Sequence, residues 1–516
     1  MPIEEINELM APAENVASPL KKTNWSQMST LITVFFFWGF VAASNDILIP
    51  VFKKAFTLSQ LQSQLVAFAF YIAYFVGSII YFVISKSIGG DLLNKIGYKN
   101  GIIVGLLISA IGTLLFYPAA MDSSFTLMLT GLFIVALGFS LQQIAVNPLT
   151  IVIGDPKTGS QRLSLGGGVN NFGTTIGPLL VSFAIFGSVT SGNSSASIAS
   201  VKTPYLILGI AFVLVAILLK VSSIPNKIAV EENDGDAVTT KTADRPSVFN
   251  YPQLLLGMIG IFVYVGVEVS TASNLPEYLK QHFEILNGSP VLKTLHLAGA
   301  KEFTNDFNAP FISLYWASLM MGRWTNSIGA FDFSSGAKKV LRFVTPYVAF
   351  GVFLLVNTIA KHDVTPFYYY GFVIIAMIIG DMLSKGSPAR MLLIFSLMGI
   401  TALIIGMLTT GITSVYAFLS VGLFCSTLWP CVFTLAVAGL GKHTNEGSSL
   451  LIMMILGGAL VPLVQGWVAS DKILGIQYSY IVGVICFAYM AFYAIKAKAI
   501  LKTQGIDYDH KVSGGH

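Results

Sequence analysis

The chain predicts an all-α polytopic membrane protein, and three observations carry that prediction. Of its 516 residues, 54% are hydrophobic and only 11% are charged, with a mean hydropathy of +0.74. A soluble domain of this size has no interior large enough to hide so much apolar surface. The apolar residues gather in windows of bilayer length, for which a helix needs roughly 20 mainly apolar residues. The basic residues of the connections fall mostly on one side, the pattern that sets orientation in a membrane.

Taken in order, residues 1–28 read as a cytoplasmic tail. They hold Glu4, Glu5, Glu8 and Glu14 and no apolar core of a cleavable signal peptide. Windows follow at about 29–52, 62–84, 100–119, 124–150, 163–188 and 203–223, forming a first bundle over 29–223. The polar stretch 224–250 is a solvated cytoplasmic linker. Further windows at about 251–274, 308–330, 341–360, 366–384, 388–409, 413–438, 446–469 and 475–497 make a second bundle over 251–498, so about 14 spans are expected in all. An outer loop at 280–307 is long for a helix connection. Residues 499–516 form a second cytoplasmic tail.

Lys95, Lys99, Lys157, Arg162, Lys227, Arg245, Lys338, Lys339, Arg342, Lys385, Arg390, Lys442, Lys496, Lys498 and Lys502 share the linker's side. The positive-inside rule makes that side cytoplasmic, with Lys53, Lys54, Lys361 and Lys472 as exceptions. The halves echo one another. Asn147-Pro148 closes one window before a window with Gly166, Gly167, Gly168 and Pro178; Trp429-Pro430 closes another before one with Gly457, Gly458 and Pro462. Duplicated halves with matching Gly- and Pro-marked helices are how many secondary carriers build a midplane site. Small residues also let helices approach closely in lipid, so the glycines fit packing equally well.

Composition excludes several functions. The net charge of +5 is scattered over loops, without the basic stripe that nucleic acid requires. Cys425, Cys431 and Cys486 lie inside windows with no metal-ligand spacing, and no nucleophile–base motif appears, so no enzyme is expected. His282, His296, His362, His443, His510 and His516 fall in loops or the tail, which leaves any proton relay to carboxylates.

Asp46 is the only charge in 31–52, and Glu268 sits in the window 251–274. A carboxylate in a span must be wet, paired or protonated, so both mark a route for an ion or polar solute, with a helix-to-helix hydrogen bond as the plainer alternative. Asp381 is placed at the interface, near the end of its span. Gln142, Gln143, Asn147, Asn170 and Asn171 are buried amides that hydrocarbon cannot satisfy, and Gln143 and Asn147 share a helical face. Trp38, Tyr71, Tyr74, Tyr264 and Trp429 are the aromatic side chains placed near the same interior, against the alternative of packing or an interfacial belt.

Six segments together resemble the fucose–galactose–glucose:proton symporter family, a branch of the major facilitator superfamily. They are SNDILIP (44–50), FYIAYFVGS (70–78), QQIAVNP (142–148), RLSLGGGVNNFGTTIGP (162–178), YVGVEVS (264–270) and EGSSLLIMMILGGALVP (446–462). The likeness covers nearly every window outside about 341–384. It implies a major facilitator fold: two pseudo-symmetric six-helix bundles, one central sugar site and alternating access. Asn45-Asp46 matches the family's first-helix Asn-Asp, where the acid is a protonation site, and Gln143 and Asn147 match cavity-facing positions. Gln143 replaces a Glu of the fucose members, Gly167 replaces a frequent Gln, and GGDLLNKIGYKNG (89–101) holds Asn94 where the superfamily's loop motif carries an acid. These departures point to a hexose such as glucose or galactose.

A sugar needs amides that donate and accept, plus an aromatic platform. The resemblance therefore implies Asp46 and Glu268 for cation coupling. The resemblance and the residue types together give Asn45, Gln142, Gln143, Asn147, Asn170, Asn171, Trp38, Tyr71, Tyr264 and Trp429 as the expected substrate residues. The expected function is import of a hexose by cation symport in the cytoplasmic (inner) membrane, with a proton as the coupling ion and sodium as the alternative. No cofactor is expected, and the partners are a small sugar and the lipid bilayer, with the chain a monomer. An uncoupled facilitator and a non-transporting sugar sensor are the competing readings. The segment 341–384 is an extra transmembrane hairpin, expected at the periphery and without chemistry of its own.

Overall fold

A computed structural model describes residues 22–55, 60–186, 202–226, 245–287 and 305–508. Within these, side chains are not described for 43–55, 60–65, 67, 178–179, 181–186, 287 and 305–307. Asn45 and Asp46 therefore lie on a helix but outside the described side chains. Most of the expected N-terminal tail, linker and outer loop fall outside the described residues.

The described chain is helical throughout, without a strand. The first half comprises α1 (Trp25–Ala55), α2 (Gln60–Ser87), α3 (Tyr98–Leu114), α4 (Phe125–Val152), α5 (Gly159–Phe186) and α6 (Lys202–Val221). The second comprises α7 (Pro252–Gln281), α8 (Asn305–Ser327), α9 (Ser335–Ile359), α10 (Tyr370–Ser384), α11 (Pro388–Leu408), α12 (Gly411–Cys425, resuming as Leu428–Val437), α13 (Thr444–Met453, continued as Gly457–Val468) and α14 (Ile481–Thr503). Among the described residues 12 helices are long and apolar enough to cross a membrane, so about 14 spans is not confirmed. The two long helices outside that set are α5 and α8.

Local signals set the helix ends. Ser124, Ser334 and Ser387 cap α4, α9 and α11 by accepting from the amides of Leu127, Ala337 and Arg390, and Pro388 occupies a first-turn position where its missing N–H costs nothing. Arg162, expected in a loop, is instead fully buried. It donates to the carbonyls of Thr150, Ile151 and Asp155 and so satisfies the otherwise orphaned end of α4.

Packing repeats across the halves. α1 lies on α5 as α7 lies on α13; α3 contacts α4 and α6 as α11 contacts α12 and α14; α2 contacts α4 as α8 contacts α12. The halves meet along two seams, α5 with α8 and α2 with α13. This correspondence closes only when α9 and α10 are set aside, so they are the added pair. Their faces show exposed apolar residues such as Phe343, Val348, Phe372 and Ile379, as a peripheral hairpin should. Asp381, three residues from the end of α10, is buried and pairs with Arg342 at 3.1 Å, tying α9 to α10.

Glycines make the close approaches possible. A Cβ at Gly39 would fall 1.8 Å from the carbonyl oxygen of Asn170, and one at Gly166 would enter the Phe35 ring at 2.6 Å. The glycine run of α5 is therefore a packing surface.

Candidate functional site

A central cavity of about 770 Å³ lies between the halves, within the range typical of small-molecule sites. Its lining comes from α1, α2, α4 and α5 on one side and α7, α8, α9, α12 and α13 on the other.

A charged pair lines it. Tyr264 donates to Glu268 Oε1 at 2.7 Å, one turn along α7, and Arg323 Nη2 on α8 lies 3.5 Å from the same carboxylate oxygen. Every N–H of Arg323 has an acceptor. Nε donates to Ser426 O at 2.9 Å, Nη1 to Asn171 Oδ1 at 2.8 Å and Gly167 O at 3.4 Å, and Nη2 to Tyr264 Oη at 3.0 Å besides Glu268. A buried ion pair persists only when such extra bonds offset desolvation. Two local features make them available. Pro430 has no N–H, so the carbonyl four residues back, Ser426, is left unbonded within α12 and accepts from Arg323. Gly167 has no side chain, and a Cβ there would press on Arg323 at 3.2 Å. The contacts to Asn171 and Gly167 make Arg323 a tie between the halves.

The other expected residues divide clearly. Gln143 lines the cavity and donates to Tyr74 Oη at 3.1 Å. Asn147 lines it with an amide nitrogen that has no partner among the described residues. Asn170 and Asn171 line it as well, Asn170 also donating to Phe35 O at 3.2 Å. Trp38, Tyr71, Tyr264 and Trp429 complete the aromatic wall, with Tyr264 and Trp429 rings 6.1 Å apart. Gln142 does not belong to the lining. It accepts from Trp38 Nε1 at 2.8 Å and donates to Ser109 Oγ at 3.1 Å, so its amide ties α1, α3 and α4 together. Asn45 and Asp46 remain outside the described side chains.

Sequence reasoning missed Arg323, although a lone Arg inside the window 308–330 is flagged by the same rule that picks out Asp46. It also missed that the added pair reaches the cavity, which Val356, Asn357, Ala360 and His362 line.

The end of the bundle near the linker is sealed. Lys86 Nζ meets Glu446 Oε1 at 2.8 Å, Tyr98 donates to Asn445 Oδ1 at 2.5 Å, and Asn445 donates to Asp91 Oδ1 at 2.9 Å. Ser448 donates to Ile144 O at 3.1 Å and Ser449 to Ser78 O at 3.2 Å. Asn326 donates to Ser164 Oγ at 2.7 Å on the other seam.

Two six-helix bundles meeting on two seams around one polar cavity agree with a family description, Major Facilitator Superfamily, that matches residues 30–359. The chain belongs to the major facilitator superfamily. Within it the chain matches the fucose–galactose–glucose:proton symporter family. It is 34% identical over 468 residues to a glucose/galactose transporter of Brucella abortus, covering 91% of this chain and 93% of that one. It is 26% identical over 480 residues to the L-fucose-proton symporter of Escherichia coli, covering 90% and 91%. The crystal structure of the superfamily transporter FucP in the outward conformation superposes with a TM-score of 0.67 at 25% identity, covering 91% of this chain and 98% of that one. This superfamily member is a multi-pass membrane transporter, not an enzyme.

Proposed function

We propose that the chain imports a hexose of the glucose or galactose kind across the cytoplasmic membrane, by alternating access coupled to a cation, with both termini on the cytoplasmic side. The observation that carries this reading is the Glu268–Arg323 pair inside a polar cavity lined from both halves. Asn147, Gln143 and Asn171 supply amides that both donate and accept, and Tyr264 and Trp429 supply an aromatic face, the two things a sugar ring needs. The sealed linker end corresponds to a carrier open to the outside, and the basic residues of that end make it cytoplasmic.

In this reading the coupling ion is a proton, with Asp46 its main site. Glu268 binds sugar or shares the proton. Protonating Glu268 weakens its hold on Arg323 and frees guanidinium N–H groups for sugar hydroxyls. The names of the curated relatives, two of which pair a sugar with a proton and four of which name glucose and galactose, support the substrate class.

The test is uptake of labelled glucose into liposomes holding the purified chain, with a proton or a sodium gradient imposed. The proton gradient is expected to drive accumulation, and Asp46→Asn to abolish accumulation while sparing exchange of labelled for unlabelled sugar. Unchanged uphill uptake in Asp46→Asn would remove Asp46 from the mechanism. Accumulation driven by sodium alone would replace the ion, and flux without either gradient would make the chain a facilitator.

A further inference from the structure

We propose that α10, α11 and α12 form a binding slot for one acyl chain of a phospholipid from the leaflet opposite the linker, held as packing between the added pair and the second half. The inference goes beyond the transport reading and does not depend on which solute the central cavity takes.

A second cavity, of about 540 Å³, lies between these three helices. Ala376 of α10, Ala402 of α11 and Ala417 and Ser420 of α12 line it. Small side chains ordinarily let facing helices close on one another. Here they border a space, because α10 is fixed at both ends. Near the linker side α10 and α11 touch: a Cβ at Gly380 would fall 2.8 Å from Met398 Sδ and 3.0 Å from Phe395 Cε2. At the other end the turn before α10 is pinned to α12, where Tyr416 donates to Pro366 O and the Tyr370 and Tyr416 rings meet edge to face at 5.7 Å.

The slot has the shape of a chain that enters from one leaflet. Along α12 its lining runs from exposed Thr413, through half-buried Tyr416, to buried Ser420 and Phe424. It is open at one end and closed at the other, where the Phe395 and Phe424 rings meet edge to face at 6.2 Å. Thr413 and Phe424 are 11 residues apart, or about 16 Å at 1.5 Å per residue. One leaflet contributes about 15 Å to a hydrocarbon core of about 30 Å.

Its chemistry suits hydrocarbon. Thr401 donates to Leu397 O at 2.9 Å and Ser420 to Ala417 O at 2.7 Å, so these hydroxyl protons, like that of Tyr416, are spent on backbone carbonyls. An ordered water needs two to four polar partners, which the remaining wall of Val373, Ala402 and Ile405 does not supply. The slot is continuous with the lipid-facing surface. Phe372 and Ile375 beside it on α10, and Ile404 and Leu408 on α11, are exposed apolar residues of membrane-length helices. An empty slot would leave its walls without dispersion partners, and the molecules next to it are acyl chains.

The closed end lies behind the charged site. Phe424 is two residues before Ser426, whose carbonyl accepts from Arg323. The far face of α12 packs on α8, where a Cβ at Gly422 would fall 2.5 Å from Tyr315 O. The bound chain therefore backs α12 just ahead of its interruption.

The test measures phospholipid held by the full chain, purified in detergent and exposed to dioleoylphosphatidylethanolamine, by native mass spectrometry alongside melting temperature. The wild type is expected to retain one phospholipid per chain after washing and to melt higher when the lipid is added. Ala376→Phe and Ala402→Phe, on different helices, each fill the slot. Both are expected to lose the retained lipid and the lipid-dependent rise, while melting no lower than the lipid-free wild type. Val348→Ala, on the exposed face of α9, is expected to change neither. A phospholipid with a photoreactive acyl chain is expected to label the wild type within 398–405 and 412–424, and this result decides if both filled variants melt lower. Retention in both filled variants equal to the wild type, no retention by the wild type, or labelling confined to exposed faces such as 340–348 overturns the slot. A wild-type dimer that both filled variants make monomeric overturns it in favour of a second copy. None of these outcomes touches the transport reading, which the uptake assay tests separately.

Discussion

The two halves carry the same break at the same place and use it differently. Pro148 in α4 and Pro430 in α12 each leave the carbonyl four residues earlier without its helical N–H, and each directly follows a cavity-lining residue, Asn147 and Trp429. In the first half the freed carbonyl, Ile144 O, accepts a neutral hydroxyl from Ser448 of the opposite half. In the second it is Ser426 O, and it accepts from the charged guanidinium of Arg323 within its own half. Duplication thus supplied two equivalent acceptors, one now part of a seal and the other part of a charged site. The seams diverge with them: α2–α13 ends in a partly exposed ion pair, whereas α5–α8 holds a charge in the interior.

This contrast ranks the expected effects. Arg323→Met should be the most damaging change, because removing one partner of a buried pair typically costs 3–5 kcal/mol in stability. Uptake should fall below a tenth of the wild type, and the double variant Arg323→Met/Glu268→Met should regain melting temperature in detergent without regaining uptake. Recovery of uptake in the double variant would show that the pair serves packing alone. Next, Pro430→Ala restores an N–H that competes for Ser426 O. A hydrogen bond to a charged group is worth roughly 1.5–3 kcal/mol against 0.5–1.5 for a neutral one, so Pro430→Ala should slow uptake more than Pro148→Ala. Equal effects in paired uptake assays would erase the distinction between the two breaks.

Gly168→Ala tests the packing of the α5–α8 seam. Its Cβ would fall 2.4 Å from Trp324 Cδ1, and overpacking of this kind costs typically 1–3 kcal/mol, read as a lowered melting temperature. An unchanged melting temperature would mean that the seam yields freely. The smallest effect belongs to Lys86→Ala. Its side chain is 57% exposed, so its bond to Glu446 is worth at most about 1 kcal/mol. Hydrogen exchange over residues 441–450 should rise only severalfold; a rise of a hundredfold would give this contact far more of the seal than its exposure allows.

Much of the site could be read beforehand, with instructive gaps. Amides buried in apolar windows are costly wherever they point, which is why Gln143, Asn147, Asn170 and Asn171 were identifiable. Gln142 was equally conspicuous but faces α3, because neighbours on a helix point about 100° apart and composition does not say which one meets the cavity. Arg323 was visible as a charge in a span, yet its partners come from α5, α7 and α12, and no local pattern reports them. The added pair looked inert because its middle is apolar; its lining residues sit at the end of α9 and in the turn after it, where Asn357 and His362 border a cavity formed mostly by other helices.

What the amino-acid sequence determined alone was the solvent, the helices and the duplication, since hydrophobic length and proline and glycine placement act within one segment. Only the tertiary structure decided which polar groups share a space. A buried charge is tolerated by its neighbours, and those neighbours here arrive from stretches of chain more than a hundred residues apart.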